Sequence, residues 1–84
     1  AMPLVKVTFV SSLSPALGGA EVVEINARTL RELMRKLVKK YPRLQKQIDQ
    51  GIALAVDGHI YRDNWDVEIP AGSEVYLMPR IQGG

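Results

Sequence analysis

The sequence contains no cysteine and has a single histidine among its 84 residues. The absence of cysteine excludes disulfides, thiolate metal sites and cysteine nucleophiles. His59 follows a predicted turn and is more typical of an exposed strand position than of a ligand, so no metal site is predicted. No apolar run approaches the roughly 20 residues of a membrane span, and no basic segment followed by an apolar one marks a secretory signal. We therefore expect a cytoplasmic protein with no membrane partner.

Positive charge is concentrated in the middle of the chain, although the formal net charge is only +2. Residues 28–46 contain eight basic side chains and one acidic side chain, Glu32. Such a cluster can bind nucleic-acid phosphates, but it suits the solvated face of a helix equally well. No aromatic residue alternates with these cations for base stacking, so we do not expect nucleic acid as a partner.

Period-2 alternation predicts two strands near the N-terminus, at residues 4–10 and 21–25. Their inward positions would be Val5, Val7, Phe9, Val23 and Ile25. Val22 could face either way. Residues 11–19 are rich in turn formers and predict a loop, so the two strands are expected to form a hairpin.

A capping-box spacing, Thr29 followed by Glu32, predicts the start of the main helix. The apolar positions that follow lie on one face: Leu30, Leu33, Met34, Leu37, Val38 and Tyr41. Pro42 should end this helix. Leu44 and Ile48 predict a further helical turn.

Three more strands are predicted in the second half, at residues 52–56, 59–61 and 74–78, the first two joined by an Asp57-Gly58 turn. In the last strand Val75 and Leu77 should face inward and Tyr76 and Met78 outward. Trp65 is expected to cover an edge of the core. One amphipathic helix among about five strands indicates an α+β fold in which the helix closes one face of a sheet. Strand order does not follow from these patterns.

The chain ends in Gly83-Gly84, directly after the pattern of the last strand. Glycines have no packing role there, so a frayed tail is one interpretation. The other is functional. A main chain without Cβ atoms can enter a narrow channel and bring its terminal carboxylate to a reactive centre. Adenylation by ATP would make that carboxylate an acyl donor, and a sulfur or amine nucleophile could then displace AMP.

This order of elements with a free Gly-Gly end resembles the β-grasp sulfur carriers, ubiquitin-like proteins that include the molybdopterin synthase small subunit and the thiamine-pathway carrier. The most specific similarities are at residues 55–58, 70–75, 78–79 and 83–84. The resemblance implies a mixed sheet of four to five strands on one main helix, with the first and last strands side by side. It also implies one domain over residues 1–79 and a flexible tail over 80–84.

The resemblance further implies that Gly84 is adenylated by an ATP-dependent activating enzyme and converted to a thiocarboxylate. Gly83 would be its unhindered neighbour, and Arg80, Ile81 and Gln82 would be tail positions that contact partners. The implied partners are the adenylating enzyme, a sulfurtransferase and a sulfur-acceptor enzyme such as a molybdopterin synthase large subunit. The protein itself would be a cosubstrate without a bound cofactor.

Two alternatives stay open at this point. The protein could be a ubiquitin-like modifier conjugated to lysines through Gly84, since carrier and modifier share the activation step. Tyr76 and Met78 could form an apolar outer patch on which the activating enzyme docks, or they could pack under a loop. Gln82 replaces the small apolar residue that is common in such tails, which leaves the acceptor enzyme undetermined.

Overall fold

The computed structural model of the protein describes residues 4–9 and 21–80. The predicted loop 11–19, Val10 and the tail positions 81–84 lie outside the described residues. The elements in chain order are β1 (Leu4–Phe9), β2 (Val22–Asn26), α1 (Leu30–Lys40), α2 (Leu44–Gln50), β3 (Ile52–Val56), β4 (His59–Tyr61) and β5 (Glu74–Pro79). Each of the predicted strands and both predicted helical segments are therefore confirmed, with ends that differ by one or two residues.

The strands form one mixed sheet in the order β2-β1-β5-β3-β4. β1 pairs with β2 antiparallel, which confirms the predicted hairpin pairing, and β1 pairs with β5 in parallel. β3 lies antiparallel to both β5 and β4. The first and last strands are neighbours, as the resemblance implied. Because β5 is central, the chain reaches its last described residue in the middle of the sheet rather than at an edge.

The core lies between the sheet and α1. Leu30, Leu33, Met34 and Leu37 are buried on the helix, whereas Val38 and Tyr41 at its end are only partly buried. The predicted stripe is thus correct for its first four positions. The inward strand positions predicted from the alternation are all buried: Val5, Val7, Phe9, Val23, Ile25, Ile52, Leu54, Val56, Val75 and Leu77. Trp65 packs against this core while remaining partly exposed, as predicted.

The start of α1 is capped by its own side chains and by a distant loop. The Glu32 amide donates to Thr29 Oγ1 at 3.2 Å, and Glu32 Oε1 accepts from the Arg28 amide at 2.8 Å, one residue before the cap. The amides of Leu30 and Arg31 donate to the carbonyls of Val67 and Trp65. These bonds satisfy donors that a helix start leaves without intrahelical partners. The loop before β5 is therefore fastened to the helix.

The turn between β3 and β4 has the predicted two-residue form. Asp57 has φ 49° and Gly58 has φ 89°, and the flanking Val56 and His59 are paired. Two positive φ values match the right-handed twist of a hairpin, and Asp and Gly tolerate them. His59 is exposed, as expected. Neither helix in the described part of the chain is long and apolar enough to cross a membrane.

Candidate functional site

The sheet face opposite the helices carries a continuous row of side chains, one from each strand. Cross-strand pairing places Thr8 between Val22 and Tyr76, and Ala55 between Tyr76 and Ile60. We call Val22, Thr8, Tyr76, Ala55 and Ile60 the outer row. Their common face follows from the period of two along each strand, since every member is one residue out of phase with the buried positions.

The outer row is mainly apolar, and three of its five members are exposed. Ile60 is 56% exposed, Val22 46% and Tyr76 42%. Ala55 is 8% exposed, because its small side chain lies between those of Ile60 and Tyr76 in the register. Met78 is half-buried on the same face, beside the buried Ala53. The predicted outward positions of Tyr76 and Met78 are confirmed, and contiguous apolar surface of this kind marks an interaction site more often than isolated apolar residues do.

A charged row borders the outer row on one side. Lys6 is paired with Glu24 on β2 and with Glu74 on β5, and all three residues are exposed. Tyr76 Oη lies 3.4 Å from Glu74 Oε2, which joins the two rows by a long hydrogen bond. An apolar centre with a polar margin is the usual composition of a protein interface.

Arg80 follows β5 and is the last described residue. Its backbone N–H donates to the Gly51 carbonyl at 3.0 Å, and its guanidinium donates to the Arg62 carbonyl and to Asp63 Oδ1, both at 2.9 Å. The Arg80 side chain is 31% exposed. Arg80, which the sequence analysis places in the tail, is thus bonded to the body of the domain.

The loop that receives Arg80 is also tied to α1. Arg31 Nε donates to Asp66 Oδ1 at 2.7 Å, with both side chains mostly exposed. The hydrogen bond and the charge of Arg31 lower the pKa of Asp66 below its ordinary value, and the same contact raises the pKa of Arg31. Asp63 and Asp66 therefore belong to two separate ion pairs and do not form an acid pair.

A cavity of about 340 Å³ lies on the helical side of the molecule. It is lined by Arg31, Met34, Arg35, Val38, Gln45, Ile48 and Trp65. This lining contains no carboxylate, imidazole or hydroxyl group, so it has no nucleophile paired with a general base. No group of three His, Asp or Glu in residues 4–9 and 21–80 could hold a metal ion.

The predicted site residues fall into two groups. Tyr76, Met78 and Arg80 are described above, whereas Ile81, Gln82, Gly83 and Gly84 lie outside the described residues. Their partner contacts and the role of Gly84 stay predictions. Sequence reasoning did not identify Val22 and Ile60 as members of the outer row. The alternation in β2 could have identified Val22, because Val23 and Ile25 face the core and the residue before Val23 must face the opposite side.

The model of the ThiS family matches residues 7–84. The chain belongs to the ThiS family. This membership confirms the resemblance to β-grasp, ubiquitin-like sulfur carriers. The search of curated proteins finds no match.

Solved structures confirm the β-grasp fold of this ThiS-family chain. Small archaeal modifier protein 1 from Methanosarcina acetivorans is 21% identical with a TM-score of 0.82, covering 100% of this chain and 99% of that one. A putative molybdopterin converting factor subunit 1 from Pyrococcus furiosus is 23% identical, with a TM-score of 0.77 and 94% and 99% coverage. A complex of molybdopterin-converting factor subunits 1 and 2 from Helicobacter pylori gives 26% identity, a TM-score of 0.70 and 96% and 99% coverage.

Proposed function

We propose that this protein is a sulfur carrier whose Gly84 carboxylate is adenylated and then converted to a thiocarboxylate. The thiocarboxylate would donate sulfur in the biosynthesis of molybdopterin or in a related pathway for thiamine, cysteine or tRNA thiolation. The observation that carries the proposal is the family match over residues 7–84, which includes the Gly83-Gly84 pair. The accessible outer row and the tail base at Arg80 support it.

The chemistry requires little from the carrier. A carboxylate oxygen attacks the α-phosphorus of ATP, pyrophosphate leaves, and a mixed anhydride with AMP forms. Hydrosulfide or an enzyme persulfide then attacks the carbonyl carbon and AMP leaves, with a reductant needed to release the thiocarboxylate in the persulfide case. ATP and the catalytic groups belong to the activating enzyme. The carrier provides a carboxylate next to glycine, which puts no side chain in the way of the attacking sulfur.

The outer row is the surface proposed to dock the activating enzyme. Its exposed members Val22, Tyr76 and Ile60 lie on β2, β5 and β4. Their register partners Thr8 and Ala55 lie on β1 and β3, so the outer row crosses all five strands. Tyr76 belongs to the strand that continues into the tail, so a partner bound there is near the point from which Gly84 must reach the reactive centre. A buried aromatic at the centre of an interface is a common source of binding energy.

The other proposed partners are a sulfurtransferase and a sulfur-acceptor enzyme. The related chain from Helicobacter pylori was solved as a complex of subunits 1 and 2 of a molybdopterin-converting factor. By analogy, this chain would act as the small, non-enzymatic subunit beside an acceptor subunit. The surface used for the acceptor would overlap the outer row, so activation and sulfur delivery would occur in turn.

Intact-protein mass spectrometry tests the proposal. Incubation with ATP, an activating enzyme and sulfide should raise the mass by the exchange of one oxygen for one sulfur. A variant that lacks Gly84 and a variant extended by one glycine should both fold normally and gain no sulfur, because reaction geometry tolerates misplacement of only about 1 Å before large rate losses. Equal sulfur transfer to the extended chain would refute the assignment of Gly84.

A ubiquitin-like modifier is the second candidate. The structural similarity to small archaeal modifier protein 1, with a TM-score of 0.82, favours it, although the identity is 21%. The two functions share adenylation and differ in the final nucleophile, which would be a lysine amine for the modifier. A Gly-Gly remnant on lysines of other proteins after proteolysis would support the modifier. If no Gly-Gly remnant is found and the thiocarboxylate mass is observed, the result supports the sulfur carrier instead.

A further inference from the structure

Arg80 is the last residue that the structure describes, and it is bonded to the sheet. Ile52 is paired with Pro79, and the next pair along the ladder is Gly51 and Arg80, whose amide donates to the Gly51 carbonyl. Pro79 has no N–H to donate. The Arg80 amide is therefore the final backbone bond between β5 and the body of the domain in the described chain.

The Arg80 side chain adds a second attachment at the same point. One terminal nitrogen donates to the Arg62 carbonyl and to Asp63 Oδ1, each at 2.9 Å. Its Nε is buried and has no hydrogen-bond partner among the described residues, so the stem of the side chain is shielded from solvent. Bonds from a guanidinium to a carboxylate are charge-assisted and hold geometry better than neutral ones. A tail arginine reserved for a partner would be expected to extend into solvent instead.

We propose that Arg80 is a positioning residue that fixes the base of the tail through Arg62 and Asp63. This inference rests on the proposed function of Gly84. Gly84 is four positions after Arg80, and four residues in extended conformation span at most about 14 Å. A fixed base thus confines the carboxylate to a short radius around one point of the docked domain.

Loss of this attachment would let the end of β5 fray by one or two residues. The concentration of a tethered group near its target falls with about the three-halves power of tether length, so lengthening the tether from four residues to five or six lowers it about 1.4- to 1.8-fold. Docking through the outer row would be unaffected. The effect should therefore fall on the rate of adenylation within the complex rather than on its affinity.

Two variants separate an internal anchor from a partner contact. Arg80→Ala removes the guanidinium, whereas Asp63→Ala removes its acceptor and leaves Arg80 intact. Asp63 is 89% exposed, so its loss should not unfold the domain. Asp66→Ala is the matched control, because Asp66 lies in the same loop and pairs with Arg31 instead.

Amide hydrogen exchange in the free full-length protein gives the first readout. We expect the Arg80 amide to exchange at least threefold faster in Asp63→Ala than in the native protein, and at the native rate in Asp66→Ala. Unchanged exchange in Asp63→Ala would overturn the anchor. This measurement needs no partner, so it stands whether or not Gly84 is adenylated.

Steady-state adenylation by the enzyme that activates the native chain gives the second readout. An anchor predicts that Arg80→Ala and Asp63→Ala both lower kcat, by about 1.4- to 1.8-fold for Arg80→Ala, with little change in KM. A partner contact predicts a higher KM for Arg80→Ala and no loss for Asp63→Ala, which would overturn the positioning role. If the native chain is not adenylated at all, the proposed function fails rather than the anchor.

Discussion

The Ser73 hydroxyl donates a 2.8 Å hydrogen bond to Asp57 Oδ2, although the two residues are 16 positions apart. The other oxygen of the same carboxylate accepts from the Glu74 amide at 3.1 Å, and the Asp57 amide donates to the Glu74 carbonyl at 3.2 Å. Ser73 is 5% exposed. One aspartate therefore connects the turn after β3 to the turn that begins β5. These are the two segments, residues 55–58 and 70–75, on which much of the family resemblance depends.

Replacing Asp57 by alanine should destabilise the domain by about 1–3 kcal/mol, because the buried Ser73 hydroxyl and the Glu74 amide lose their acceptor. Alanine also tolerates the positive φ at this position poorly. Asp57→Asn is the comparison for backbone conformation, since asparagine adopts positive φ readily but its single amide oxygen can accept only one of the two bonds, so its loss should be smaller than that of Asp57→Ala. Urea unfolding measures both variants. Equal stability of Asp57→Ala and the native protein would show that the carboxylate contributes nothing to the connection.

Truncation of Leu37 should cost roughly 2–5 kcal/mol, because it removes a fully buried side chain and leaves a cavity between α1 and the sheet. Val38 is the matched control: it is the next residue on the same helix but is only partly buried. Val38→Ala should cost clearly less in the same denaturant titration. A loss below about 0.5 kcal/mol for Leu37→Ala would contradict the assignment of this face as the core.

The elements were predictable because their signals are local. The apolar period of two residues in strands and of 3.6 residues in helices is set by which side of a single segment faces the core. The capping residues of α1 lie within four positions of each other. The Asp57-Gly58 turn is equally local, since it depends on the φ values that two residues tolerate. The predicted apolar face of α1 is less completely buried at its end, where Val38 and Tyr41 remain partly exposed.

Contacts between distant segments were not predictable from these patterns. The strand order depends on which strands pair, and the periodicity within one strand does not identify the strand that pairs with it. The outer row likewise exists only because the register brings Val22 and Ile60 into line with Tyr76. The anchoring of Arg80 by Asp63 joins positions 17 apart, and only the fold brings them together. The resemblance to the family did predict that the first and last strands are neighbours.

The ion pair between Arg31 and Asp66 predicts a small dependence of stability on acid pH. The hydrogen bond from Arg31 lowers the pKa of Asp66 below its ordinary value of 3.8 in the folded state. The pair therefore stabilises the fold above pH 3.8, and this contribution is lost as the pH falls through the lower folded-state pKa. Both side chains are mostly exposed, so the effect should be small and should weaken with salt.

Asp66→Asn provides the comparison for this pair, because it keeps the shape of the side chain and removes its titration. The difference in melting temperature between the native protein and Asp66→Asn should shrink as the pH is lowered from about 6 to 2. An NMR titration of the Asp66 carboxyl gives the pKa directly. A value at or above 3.8 would show that Arg31 does not favour the charged form.

Tyr76 lies at the centre of the outer row, and its replacement tests whether that row docks the activating enzyme. Tyr76→Ala should raise KM for adenylation about five- to thirtyfold, which corresponds to the 1–2 kcal/mol typical of an important interface side chain. Tyr76→Phe should stay near the native value, because the ring provides the contact area and the hydroxyl makes only a 3.4 Å contact with Glu74.

Lys39→Ala, on the exposed side of α1, controls for general surface effects. Unfolding by urea, measured in parallel, separates binding from stability, since Tyr76 is 42% exposed and its loss should cost the fold little. If Tyr76→Ala and Lys39→Ala are both adenylated with the native KM, the enzyme docks elsewhere on the domain.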